Sequence, residues 1–310
     1  MTILCTTSTF GAKLPDELTI VMNPYGRRLT EAEVTALIQE HRPTGLIAGV
    51  EPLSRRVLES ASGLRVVSRC GVGVDSIDLD AARELGITVC TTPEAPVPSV
   101  AELTVTLMLA ALRRVPQTDA AIRAGGWPKP AGNLLGGKTV GIVGCGRIGS
   151  AVASLAAAFG CRALGYDPVI ETHETCEMVR LDTLLVTSDI VTLHAPALEA
   201  TRRMINASAL SRMKREAILV NTARGALVDE AALIDALREE RIAFAALDVF
   251  DDEPYAGPLR EMPEKTILTS HIASGAREAR ARMEAEAVAN LVAALAEHGG
   301  ASGNATVRAG

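Results

Sequence analysis

Short apolar runs alternate with segments of helical period along almost the whole chain, and this constrains the fold more than any single motif. Buried strands about four to six residues long, separated by helical segments, imply parallel strands joined by crossover helices. A first series places strands at Thr2–Cys5, Leu18–Met22, Gly45–Val50, Leu64–Ser68 and Ile87–Cys90. Thr30-x-x-Glu33 and Ser99-x-x-Glu102 read as capping boxes, each opening a helix. A Gly/Pro-rich loop, Gly125–Gly132, breaks the pattern before a second series: Thr139–Val143, Arg162–Tyr166, Ile190–His194, Ala217–Asn221, Ala243–Leu247 and Thr266–Thr269. A last helix is predicted from about Arg277 to Glu297, and His298–Gly310 reads as a frayed end.

With 310 residues the chain has material for about two domains. Its formal charge of −6 argues against a nucleic-acid or anionic-membrane surface, which needs clustered positive charge. One Trp, three Tyr and four Phe leave little for base-stacking platforms. No apolar run is long enough to span a bilayer, and the first residues lack the basic and apolar regions of a signal peptide. The six cysteines show neither zinc-ligand spacing nor a disulfide framework, so no metal is expected and a cytoplasmic location is.

After the strand at Thr139–Val143 comes Gly144-Cys-Gly146-Arg147-Ile148-Gly149, then an Ala-rich helix. In that context G-x-G-x-x-G reads as a dinucleotide site. Gly144 makes the tight turn, Gly146 admits a pyrophosphate at a helix N-terminus, and Gly149 allows close helix–strand packing. The next strand ends at Asp167, 18 residues beyond Gly149, where an acid would bind the ribose hydroxyls and repel a 2′-phosphate, favouring NAD over NADP.

Three later strand ends carry polar groups: Asn221-Thr222-Ala223-Arg224-Gly225, Asp248 with Glu253 following, and Ser270-His271. Ligands of open α/β sheets bind beyond the carboxyl ends of strands. Hydride transfer from a secondary alcohol needs a base for the hydroxyl proton and a cation for the acid group. His271 suits the first role, with a carboxylate to orient it, and the Arg224 fork suits the second. Taken singly, each has a plain structural explanation, as a packed histidine, a loop acid or a surface arginine.

From about Leu64 to Met283 the sequence resembles the D-isomer-specific 2-hydroxyacid dehydrogenases, most closely the D-3-phosphoglycerate dehydrogenase branch. The matching stretches are Ser68–Asp78, Thr92–Thr104, Gly144–Gly149, Leu193–Pro196, Asn221–Gly225, Ala245–Phe250 with Glu253-Pro254, and His271–Ser274. The resemblance implies an NAD-dependent oxidoreductase in which Arg224, Glu253 and His271 are catalytic. It also implies that backbone N–H groups at Gly71, Val72 and Gly73 bind the substrate carboxylate. Arg147, Ile148, Asp167, Ala195, Pro196, Thr222, Ala223, Asp248 and Ser274 match cofactor-contacting positions. His194 adjoins them, either as a cofactor contact or as a strand-end histidine bonded to its neighbour.

Arg69 matches one of two arginines that phosphoglycerate dehydrogenases place near the substrate phosphate. Gly49 stands where the other is common. The turn after Trp127 is two residues shorter than usual and has Lys129 where Arg is frequent. Lys214-Arg215-Glu216 replaces a usual Lys-Pro-Gly turn, and Ala276 a frequent Thr. The expected substrate pair is 3-phosphoglycerate/3-phosphohydroxypyruvate or a similar acid with a second anionic group. The alternatives are other 2-oxo acids (phosphonopyruvate, sulfopyruvate, hydroxypyruvate or glyoxylate) and a non-catalytic NAD(H)-sensing scaffold. The segment after the last helix leaves no room for the regulatory domain some relatives carry, so feedback through one is not expected.

The expected fold is α/β: two Rossmann-like or flavodoxin-like parallel-sheet domains, with the NAD-binding one (99–282) inserted into a substrate-binding one (1–98 and 283–310). The apolar helix after Ser99, the Trp127 arm and the resemblance imply a homodimer through the nucleotide-binding domain. Neither a nucleic-acid nor a membrane partner is expected.

Overall fold

The computed structural model describes residues 1–300 and 307–309, with only the backbone of 299–300 and 307–309. The chain divides into two compact units, Met1–Pro96 with Ala276–Gly310, and Val97–Gly275.

In the first unit the strands are β1 (Thr2–Cys5), β2 (Thr19–Met22), β3 (Gly45–Ala48), β4 (Val66–Arg69) and β5 (Thr88–Thr91). In the second they are β6 (Thr139–Val143), β7 (Arg162–Tyr166), β8 (Glu177–Met178), β9 (Ile190–Leu193), β10 (Ile218–Asn221), β11 (Phe244–Leu247) and β12 (Thr266–Leu268). β13 (Val307–Ala309) returns to the first sheet, parallel to β5, so this part of the predicted frayed end is a strand. Residues 301–306 and 310 of that prediction lie outside the described residues.

The first sheet has the order β13-β5-β4-β3-β1-β2 and the second β12-β11-β10-β9-β6-β7-β8. Every pairing is parallel. β3, β4 and β5 are buried at every residue, as strands covered on both faces must be. One face of the first sheet carries Leu46, Val67 and Val89 against Val34 and Ile38 of the helix Glu31–His41. The other takes Met283, Ala287, Leu291 and Leu295 of the helix Arg277–Gly300. That packing returns the chain to the first unit at Ala276, ahead of the predicted 283.

The Thr30–Glu33 capping box forms as its sequence predicts. The Ser99 box does not, because that helix starts earlier and runs Val97–Arg113. Ser99 is buried inside its first turn, and its hydroxyl donates to the Ala273 carbonyl at 2.6 Å. Pro98 explains the early start, since its missing N–H and fixed φ suit a first helical turn.

Candidate active site

The second sheet reverses its order between β6 and β9, and the loops leaving those strands carry the glycine motif and His194. Gly144 has φ 92°, and a Cβ there would stand 2.7 Å from Ala195 N. At Gly149 a Cβ would overlap the Gly144 carbonyl. By contrast, a Cβ on Gly146 would meet nothing within 4 Å. The helix Arg147–Ala158 begins there without a side-chain cap. The turn is thus an open backbone cradle at a helix N-terminus, suited to a pyrophosphate.

Asp167 ends β7. Its Oδ2 accepts from Cys145 N at 3.0 Å, and its Oδ1 from Val169 N and Ile170 N at 2.9 and 3.2 Å. A carboxylate accepts about four hydrogen bonds, so about one position remains for a ribose hydroxyl beside the three taken. His194 Nε2 bonds Thr192 Oγ1 at 3.0 Å, while the buried Nδ1 has no partner among the described residues. Burial pushes the ring down to about 3, so His194 is a neutral imidazole with one unsatisfied nitrogen. Open cradle, uncapped helix and orphaned nitrogen all fit a dinucleotide.

The other strand ends of this unit bring Glu253 and His271 together. Glu253 Oε2 stands 2.8 Å from His271 Nδ1, and Oε1 accepts from Phe250 N at 3.0 Å. The side chains stay reachable, 27% and 42% exposed. His271 has φ 55°, a left-handed conformation that costs a non-glycine residue about 1–3 kcal/mol. Asp248, 0% exposed, holds it there. The Asp248 carbonyl accepts from His271 N at 2.8 Å. Its carboxylate accepts from Ile272 N and Ala273 N, both at 2.9 Å, and from the Thr269 hydroxyl at 2.6 Å. The Glu253 loop is anchored by Tyr255, whose ring stacks on Phe250 at 4.1 Å and whose hydroxyl donates to Glu230 at 2.9 Å. Burial pushes that phenol up to about 12.

Arg224 is half-buried at the end of β10. Asn221 shapes its loop, donating to the Arg224 carbonyl at 2.8 Å and accepting from Ala223 N at 3.0 Å. A Cβ on Gly225 would overlap the Phe250–Asp251 peptide, so only glycine lets this loop lie against the one that carries Glu253.

In the first unit, Gly71, Val72 and Gly73 follow β4. The Gly71 N–H is taken by Thr92 Oγ1 at 2.8 Å. Among the described residues nothing accepts from Val72 N or Gly73 N, so two of the three expected groups are available to a carboxylate. Arg69, expected at the substrate, is buried instead. Its guanidinium donates to Gly73 O at 3.0 Å and to Cys70 O, bracing the loop from beneath.

The chain is similar to known proteins over most of its length. Residues 105–273 match the model of the D-isomer specific 2-hydroxyacid dehydrogenase NAD binding domain. A hydroxypyruvate reductase of Thermotoga maritima is 40% identical over 241 residues, 76% of this chain and 79% of that protein. The chain belongs to the D-isomer-specific 2-hydroxyacid dehydrogenases. A D-3-phosphoglycerate dehydrogenase of Methanocaldococcus jannaschii is 42% identical over 260 residues, 81% of this chain but 49% of that one, about half its length. The crystal structure of the TT0316 protein from Thermus thermophilus superposes with a TM-score of 0.86 at 39% identity, covering 96% of this chain and 97% of that one. This dehydrogenase is accordingly NAD-dependent, with the two parallel-sheet domains of its family.

Two side chains expected at the cofactor serve the protein interior. Asp248 is sealed beneath the His271 turn, and the buried Thr222 hydroxyl pairs with Thr104 Oγ1 at 2.9 Å. Ala195, Pro196, Ala223 and Ser274 are at least partly exposed beside the strand ends. Spacing alone missed Asp248 as the brace of His271 and Ser99 as the brace of Ala273. Among the described residues no group of three or more His, Cys, Asp and Glu side chains could hold a metal ion, and no helix is long and apolar enough to cross a membrane.

Proposed function

We propose that this dehydrogenase interconverts a small D-2-hydroxy acid and its 2-oxo acid, with His271 as acid–base, Glu253 as its partner and Arg224 as the carboxylate clamp. The His271–Glu253 hydrogen bond of 2.8 Å carries the reading. Accepting the Nδ1 proton, Glu253 leaves Nε2 to the substrate oxygen and stabilises the imidazolium. In reduction Nε2–H gives its proton to the carbonyl oxygen; in oxidation Nε2 takes the hydroxyl proton. Arg224 holds the acid group and polarises the carbonyl. Bound NADH supplies the hydride. The Gly144–Gly149 cradle binds its pyrophosphate.

The second-anion reading rested on Arg69. Because that guanidinium is engaged with its own loop, the alternative of hydroxypyruvate or glyoxylate is favoured over 3-phosphohydroxypyruvate, phosphonopyruvate and sulfopyruvate. NADH oxidation across these acids tests it: kcat/KM for hydroxypyruvate or glyoxylate should exceed that for the doubly anionic acids about tenfold or more. A clear preference for 3-phosphohydroxypyruvate would return Arg69 to the substrate.

The enzyme further acts as a homodimer through the second unit. Trp127 and Leu134 are 77% and 76% exposed on the arm after the helix Val115–Arg123, where Val115 and Ile122 are also exposed. Apolar side chains gathered on one stretch mark an interface.

A further inference from the structure

Arg224 and Glu253 stand on loops that leave neighbouring strands of the second sheet, β10 and β11. Hydride transfer needs the clamp and the acid–base pair at one fixed separation, since a misplacement of about 1 Å can cost 10²-fold in rate. Backbone contact at Gly225 limits how closely the two loops approach. A directional bond between them fixes their register as well.

Tyr255, just beyond Glu253 and Pro254, supplies that bond. Its hydroxyl donates to Glu230 Oε1 at 2.9 Å and accepts from Leu259 N at 3.1 Å. Glu230 opens the helix Glu230–Arg238, on the stretch of chain that leaves Arg224 through one short turn, Gly225–Leu227. Asp229 caps that helix, accepting from Ala232 N at 3.2 Å, so the place of Glu230 is set. The Tyr255 ring stacks on Phe250, with 4.1 Å between centroids and 18° between planes. A Cβ on Gly257 would stand 2.5 Å from the phenol oxygen, so the chain is bare where the ring lies. The Phe250 N–H in turn donates to Glu253 Oε1, whose other oxygen meets His271. From Glu230 to the imidazole, every step is a hydrogen bond or a stacked ring. Burial pushes the phenol up to about 12, with Glu230 and Arg260 the charged groups acting on it, so it stays a donor at neutral pH.

We propose that Tyr255 is a positioning residue, its hydroxyl joined to Glu230 so that the Arg224 clamp and the Glu253–His271 pair keep the separation that hydride transfer requires. The role rests on the reading that assigns Arg224, Glu253 and His271 their parts. Glu253 is the carboxylate paired with His271, and a well-placed carboxylate strengthens the imidazole's hold on its proton. Loosening the loop weakens that hold before it unfolds anything.

The test follows kcat/KM for reduction of hydroxypyruvate or glyoxylate by NADH across pH, in wild type, Tyr255→Phe, Glu230→Ala and Glu230→Gln. Tyr255→Phe keeps the stack and loses the bond. Glu230→Ala removes the same bond from its other end, and Glu230→Gln keeps an acceptor oxygen. Reduction needs the protonated imidazole, so kcat/KM declines as the pH rises through its pKa. In Tyr255→Phe and Glu230→Ala the decline should begin about 0.5–1 pH unit lower, with kcat down about tenfold and NADH affinity by fluorescence unchanged. Glu230→Gln should lie nearer wild type than Glu230→Ala. The pH of the decline does not depend on how much enzyme is folded, so a poorly folding variant still reports. A decline at the wild-type pH in Tyr255→Phe, a shift there but not in Glu230→Ala, or Glu230→Gln as impaired as Glu230→Ala would overturn the role of Tyr255 alone. No reduction of either acid by wild type, or full turnover by His271→Ala, would overturn the reading on which it rests.

Discussion

His194 follows β9 and His271 follows β12 of the same sheet, and burial separates their properties. His271 is exposed and bonded to a carboxylate, the setting of a group that exchanges protons. His194 is held near 3, below the ordinary 6.5. Between those values the unfolded chain binds a proton that the folded chain does not, so this contribution to stability is full above about pH 6.5 and is lost as the pH falls toward 3. By pH 5 the loss is about 2 kcal/mol. Urea unfolding of wild type and His194→Asn at pH 7 and pH 5 should show wild type losing about 2 kcal/mol more than the variant; equal losses would contradict a buried neutral His194. Residue types at the strand ends were legible because hydride transfer needs few kinds of group. Which of them face inward was not. Asp248 and Glu253 are both acids after β11, and only folding places one under the turn and the other beside the imidazole.

Among the elements, the glycine turn shows how much of a site can be backbone. Gly144 and Gly149 are required by the fold, since a Cβ at either meets the protein itself. The fold makes no such demand at Gly146, whose glycine we assign to the proposed pyrophosphate contact. Its φ of −70° suits any residue and its surroundings are open. Gly146→Ala should therefore keep unfolding stability within about 0.5 kcal/mol of wild type while NADH affinity, titrated by fluorescence, falls about tenfold or more. Unchanged affinity would remove the pyrophosphate from this turn. Strands with long apolar runs were readable to within two residues at each end. β8 and β13 escaped, because two or three residues carry no periodicity. The Ser99 box misled because the Ser-x-x-Glu pattern says nothing of the two helical residues before it.

On the scale of the whole molecule, alternation in the sequence implied parallel sheets but could not order them. The orders put a reversal at β1/β3 in one sheet and at β6/β9 in the other, the second with the glycine turn and His194 at its carboxyl ends. The exposed Trp127 arm gives a further expectation: light scattering after gel filtration should return twice the chain mass of 32.5 kDa. A monomer mass would remove the proposed interface. The central claim is that His271, oriented by Glu253, carries the proton that accompanies hydride transfer. Its most direct test is steady-state NADH oxidation by His271→Ala with the best 2-oxo acid, alongside NADH binding by fluorescence. Turnover should fall about 10²–10⁴-fold with NADH still bound; turnover near that of wild type would contradict the account.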